Sequence, residues 1–99
     1  MPKMLEPITP GFVLKTEFIE PLEITLSKLA KDIGVPTNRI SQIINGKREI
    51  TTDTALRLGR YFGMEPEFWL NLQMRYNLKI TERESGSKIE REVHVLEAA

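Results

Sequence analysis

The chain has no cysteine and only one histidine, His94, set in a charged stretch near its C-terminus. Without thiols it can build neither a disulfide framework nor a thiolate zinc site, and a cytoplasmic setting is the default reading. It also lacks any apolar run approaching the roughly 20 residues of a membrane span. The opening MPKMLEPITPGF has no hydrophobic centre of the kind a signal peptide needs. No glycine-rich phosphate loop occurs, and no histidine or carboxylate cluster has metal-ligand spacing. The acidic pairs Glu82/Glu84 and Glu90/Glu92 read as a solvated face. These absences argue against an enzyme, and neither a metal nor a cofactor is expected. A net charge is missing too, with 14 basic residues against 14 acidic ones.

What is present is a single domain's worth of sequence, 99 residues, enough for a modest core without metal or disulfide support. Its most informative stretch is TLSKLAKDIGVPTNRISQIING, Thr25 to Gly46. Two short helices that cross steeply can touch only if the first carries a small side chain at the crossing, and Ala30 supplies it. Gly34, four positions later, can take the left-handed backbone that a sharp exit requires. Leu29, Ile33, Val35, Ile40 and Ile43 then form one apolar face across both helices. Thr25 and Thr37 fit the two N-caps.

An ordinary helical hairpin would share these features, so the outward face has to decide. On the second helix it carries Asn38, Arg39, Ser41, Gln42 and Asn45, with Lys47 and Arg48 just past Gly46 and no acidic interruption. Asn and Gln can pair bidentately with adenine in the major groove, Ser can bond either partner of a base pair, and Arg and Lys meet phosphates. The charge distribution agrees. Between Thr25 and Arg48 five basic residues face the single acid Asp32, a local +4 that the rest of the chain balances with −4. A DNA-binding helix-turn-helix is the reading that accounts for both faces.

Around this motif, residues 1–9 read as a flexible lead-in, and 10–80 as the domain. Pro10 and Gly11 open a first helix running to about Ile19, with Leu14, Phe18 and Ile19 inward and Pro21 ending it or beginning the turn. The KREIT segment after Gly46 forms a loop. Thr52 reads as the N-cap of a fourth helix that closes at Gly63, with Ala55, Leu58, Gly59 and Phe62 on one face. A fifth starts at Pro66 and continues through Phe68, Trp69, Leu72 and Tyr76. Phe68 is expected to close the core. Trp69, large for so small a domain, is assigned with Leu72 and Tyr76 to a subunit or partner contact. The charged segment 81–99 is left open between a disordered tail, a short helix on Ile89, Val93 and Leu96, and a strand.

The block ITTDTALRLGRYFGMEPEFWLNLQMRYNL, Ile50 to Leu78, together with Pro10-Gly11, the helix-turn-helix and the NGKR step from Asn45 to Arg48, closely resembles the HigA antitoxins, or virulence-associated protein I family, of the Xre/Cro-like repressor group. The resemblance spans roughly residues 9–80. It implies an all-α, five-helix, lambda-repressor-like domain that forms a homodimer, binds double-stranded operator DNA and represses its own operon. It also implies neutralisation of a cognate HigB-type, RelE-like toxin. Carried onto this sequence, the base-reading residues are Thr37, Asn38, Ser41, Gln42 and Asn45, and the phosphate contacts Thr25, Arg39, Lys47 and Arg48. Leu26 stands where many of the group have Gln, Thr9 and Phe12 where His and Glu are common around Pro-Gly, and Glu65 where Ser or Thr precedes Pro-Glu-Phe-Trp. A transcriptional regulator without a toxin shares every one of these features, and a protein-interaction module that has lost DNA binding is the third class.

Overall fold

The computed structural model describes residues 6–97, and five helices account for its regular structure. Thr9 caps the first, α1, its hydroxyl accepting the Phe12 N–H at 3.0 Å. α1 is unusual in its winding. A short α-helical start, Pro10–Val13, passes into a π-helical stretch, Leu14–Ile19, and ends in one more turn, Glu20–Leu22. Pro21 therefore does not end the helix at about residue 19. A proline inside an α-helix clashes with the carbonyl four residues back, and π winding moves that carbonyl away. The Glu20 N–H accordingly bonds Lys15 O and the Ile24 N–H bonds Ile19 O. Glu23 then closes the helix in the left-handed region, φ 56°.

The helix-turn-helix consists of α2, Leu26–Ile33, and α3, Thr37–Ile44. Thr25 caps α2 by accepting the Lys28 N–H at 3.0 Å. At the other end Gly34, φ 79°, lets the Val35 N–H reach back to Ala30 O at 2.9 Å, so the turn satisfies carbonyls the helix leaves open. Leu29, Ala30, Ile33, Val35, Ile40 and Ile43 are all buried, the face read from their spacing. The second N-cap differs from the reading: Pro36 occupies it and Thr37 is the first helical residue, because Pro36 already holds the extended backbone a cap needs.

A similar one-residue shift applies to α4, Thr52–Phe62, whose cap is Thr51 rather than Thr52; the Thr51 hydroxyl accepts the Thr54 N–H at 3.3 Å. Gly63, φ 70°, ends it. The fifth helix, α5, Pro66–Glu92, continues without a break through the segment that the sequence left open, as far as Glu92. Residues 1–5 of the expected lead-in, and Ala98 and Ala99, lie outside the described residues.

Phe68 and Trp69 exchange their expected places. Trp69 is wholly buried, whereas Phe68 is 38% exposed. The indole lies 4.9 Å from the Phe18 ring, 6.2 Å from Phe62 and 5.0 Å from Phe68, so the aromatics wrap it from three elements. The π winding of α1 brings in the half-buried Phe18 as one wall of that cage. A ring enclosed by its own chain offers a partner no surface, which corrects the assignment of Trp69 to a subunit contact. Leu72 and Tyr76 differ: with Pro7, Ile8 and Val13 they line an open apolar groove of about 440 Å³.

Candidate nucleic-acid interface

With Ile40 and Ile43 turned inward, the polar residues of α3 necessarily occupy its outer side. Thr37, Asn38, Ser41, Gln42 and Asn45 follow at i, i+1, i+4, i+5 and i+8, one continuous stripe. Thr37, Asn38 and Asn45 are exposed, and Ser41 and Gln42 are half-buried at its edge. All five base-reading candidates thus share a helix face.

Three packing devices hold that stripe in position. Glycine at Gly11 lets α1 cross the end of α3 at backbone contact, since a Cβ there would stand 2.0 Å from Ile43 O. Beyond α3, Gly46 takes φ 76°, its N–H bonding Ile43 O at 3.1 Å and the Lys47 N–H bonding Gln42 O at 2.8 Å. This turn folds Lys47 and Arg48 back beside the helix rather than away from it. The loop is then pinned from α5, where the buried Gln73 amide accepts the Ile50 N–H at 2.8 Å and donates to Asn77 Oδ1 at 3.0 Å.

The expected phosphate contacts separate into two groups. Lys47 and Arg48 are exposed beside the stripe. Thr25 is exposed as well, and its capping bond uses the hydroxyl oxygen as acceptor, leaving the O–H to donate. Arg39 instead is half-buried and turns toward α4, its guanidinium 3.9 Å from Asp53. Arg39, Arg48, Thr51, Asp53, Thr54 and Arg57 line a polar hollow of about 250 Å³. Asp53 is claimed more closely by Arg57, at 2.6 Å, and that hydrogen bond holds its carboxyl below the usual range.

Arg57 and Gln73 escaped the sequence reading, although each is part of the support. Arg57 Nη1 donates to Ile33 O at 2.8 Å, tying α4 to the carbonyl end of α2. Its signal was only an arginine one turn after an acid, the pattern of many surface pairs. Gln73 carried a clearer one, a polar residue four positions after the buried Trp69. A second tie joins the same helices: Asp32 accepts from Lys28 at 3.0 Å and from the Tyr61 hydroxyl at 2.9 Å. The Lys28 and Tyr61 hydrogen bonds lower the Asp32 pKa, and reciprocally raise those of Lys28 and Tyr61. Among the described residues no group of His, Asp or Glu has a metal-holding arrangement, and no helix is long and apolar enough to cross a membrane.

The profile of the helix-turn-helix family matches residues 17–69. The virulence-associated protein I of Dichelobacter nodosus is 44% identical over 80 residues, covering 81% of this chain and 74% of that protein. A solved HigA-family addiction module antidote protein from Coxiella burnetii superposes with a TM-score of 0.87 at 48% identity, over 93% of this chain and all of that one. The structure of the Pseudomonas aeruginosa antitoxin HigA with the higBA promoter superposes with a TM-score of 0.88 at 37% identity, over 92% of this chain and 99% of the other.

Proposed function

The chain belongs to the helix-turn-helix family of HigA antitoxins, and from that premise we propose that it is an antitoxin which represses its own operon as a homodimer bound to operator DNA. The observation that carries the DNA-binding part is the uninterrupted polar stripe on α3, from Thr37 to Asn45, flanked by Lys47 and Arg48 and backed by buried Ile40 and Ile43. A similar protein solved with a promoter supports this assignment.

In physical terms, two copies of α3 related by a two-fold axis enter successive major grooves, with half-site centres about 34–36 Å apart. Asn38, Ser41, Gln42, Asn45 and Thr37 meet base edges there. Lys47, Arg48 and Thr25 neutralise or bond the phosphates, which makes binding strongly salt-dependent. Arg39 joins them by leaving its loose 3.9 Å pairing with Asp53. Leu72 and Tyr76 are the proposed partner contacts. Repression requires the compartment that holds the chromosome, the cytoplasm. Neutralisation of a HigB-type toxin follows from family membership, and the chain acts by binding rather than by catalysis.

A gel-shift salt titration against the promoter of the protein's own operon, beside an unrelated duplex of equal length, tests the repressor reading. Preference for the promoter with a steep loss of affinity as salt rises is the expected result, whereas equal binding at every salt overturns it. Co-expression with the neighbouring toxin gene tests the other half: rescue of growth and co-purification are expected, and failure of both leaves a regulator without a toxin.

A further inference from the structure

One contact within the proposed interface changes what the interface can read. Gln42 Oε1 accepts a hydrogen bond from Arg48 Nη1 at 3.1 Å. A guanidinium has donors only, so the amide atom facing it must be the oxygen. This contact sets the side chain's orientation on chemical grounds, with the Nε2 amide hydrogens on the other side. The Gly46 turn makes the contact possible, because the backbone bond from Lys47 N to Gln42 O at 2.8 Å brings Arg48 back over the last turn of α3.

A lone glutamine recognises adenine by accepting from N6 and donating to N7 at once. Here the accepting atom is engaged by a cation, and the positive charge beside it disfavours the approach of another donor such as adenine N6 or cytosine N4. What remains outward is an unbroken set of donors, the Nε2 hydrogens and the other N–H groups of the exposed Arg48 fork. Its complement in the major groove is the paired acceptors N7 and O6 of guanine. We propose that Gln42 and Arg48 act as one donor unit selecting guanine in each half-site, with Arg48 a positioning and specificity residue rather than a phosphate contact alone. The proposal rests on the repressor reading.

The test is competition binding of the full-length protein on its promoter and on duplexes substituted singly at each half-site position. Gln42→Ala locates the position, as the one where selectivity is lost. In the unmodified protein guanine should be preferred there, and replacing it with 7-deazaguanine, which lacks the N7 acceptor, should weaken binding by about tenfold. Arg48→Ala should free the amide and move the preference at that position toward adenine, leaving the ranking at other positions unchanged. Adenine preferred by the unmodified protein would overturn the proposal. So would an Arg48→Ala variant that binds every duplex more weakly by one common factor, the behaviour of a phosphate contact. Failure of the unmodified protein to prefer its promoter over unrelated DNA is a different result, and strikes the repressor reading itself.

Discussion

The packed body of the domain and the projecting half of α5 are joined by one continuous helix but are held by different forces. On its first half α5 buries Trp69 and Gln73 against the body, whereas from Thr81 to Glu92 it buries no residue. The outer half relies on backbone hydrogen bonds and on exposed pairs such as Lys88 with Glu92 at 3.8 Å and Arg83 with Glu6 at 3.2 Å. Exposed pairs of this kind contribute about 0–1 kcal/mol each, while a buried aromatic contributes several. Helicity alone therefore says little about how firmly a segment is held.

Glycine substitutions sharpen the comparison most. Gly11→Ala should be the most damaging single change, because its methyl group meets the α3 backbone at Ile43 O, which no rotamer can move. A loss of more than about 3 kcal/mol is expected, enough to prevent folding in a domain of ordinary stability, and urea denaturation checks it. In the body again, Gln73→Leu removes the acceptor of the Ile50 N–H and should cost about 1–3 kcal/mol in the same assay. It should also loosen the loop carrying Arg48, giving faster amide exchange at Ile50.

In the projecting half the sign reverses. Among the described residues nothing lies within 4 Å of a Cβ placed on Gly86, so Gly86→Ala should gain helix propensity without a clash. An increase of about 0.5–1 kcal/mol in the local opening free energy of residues 81–92, read by hydrogen exchange, is expected. A loss of stability would mean that this half is packed against something after all.

The smallest effect expected is on acid stability. Asp32 and Asp53 titrate below their ordinary 3.8 when folded, through hydrogen bonds from Lys28 and Arg57 respectively. Their stabilisation is present above that ordinary value and is lost as pH falls through the lower folded values. Lys28 and Tyr61 are raised, so their share is complete below their ordinary values and is lost in strong alkali. Asp32→Asn should therefore flatten both the acid and the alkaline limbs of a thermal-melting profile, and Asp53→Asn the acid limb alone. Unchanged profiles would show that these exposed ties hold nothing.

Much of the body was legible before any coordinates. Gly34 obeys a local rule of backbone freedom, and the burial of Ala30 and of the spaced aliphatics from Leu29 to Ile43 follows from local rules of packing and periodicity. The outward stripe follows by complement. Thr25 caps α2 as read, whereas the other two caps fall one residue earlier than their spacing suggests, at Pro36 and Thr51 rather than Thr37 and Thr52, because the backbone angles that make a cap are not visible in residue type. The inversion of Phe68 and Trp69 has another origin. A helical pattern names both as apolar neighbours, but the cage that accepts the larger ring is assembled from Phe18 and Phe62 on other helices.

What the sequence by itself determined is the motif, its two faces and the basic bias of one of them, since these depend on residue type and helical spacing. Only the tertiary structure decided that α1 winds as a π-helix just ahead of Pro21, that Gly11 is a contact point rather than a mere helix opener, and that Arg48 lies against Gln42. Each joins atoms whose meeting depends on how elements cross or how a turn folds back. Local propensity cannot encode such distances, because they exist only once the whole chain has closed on its core.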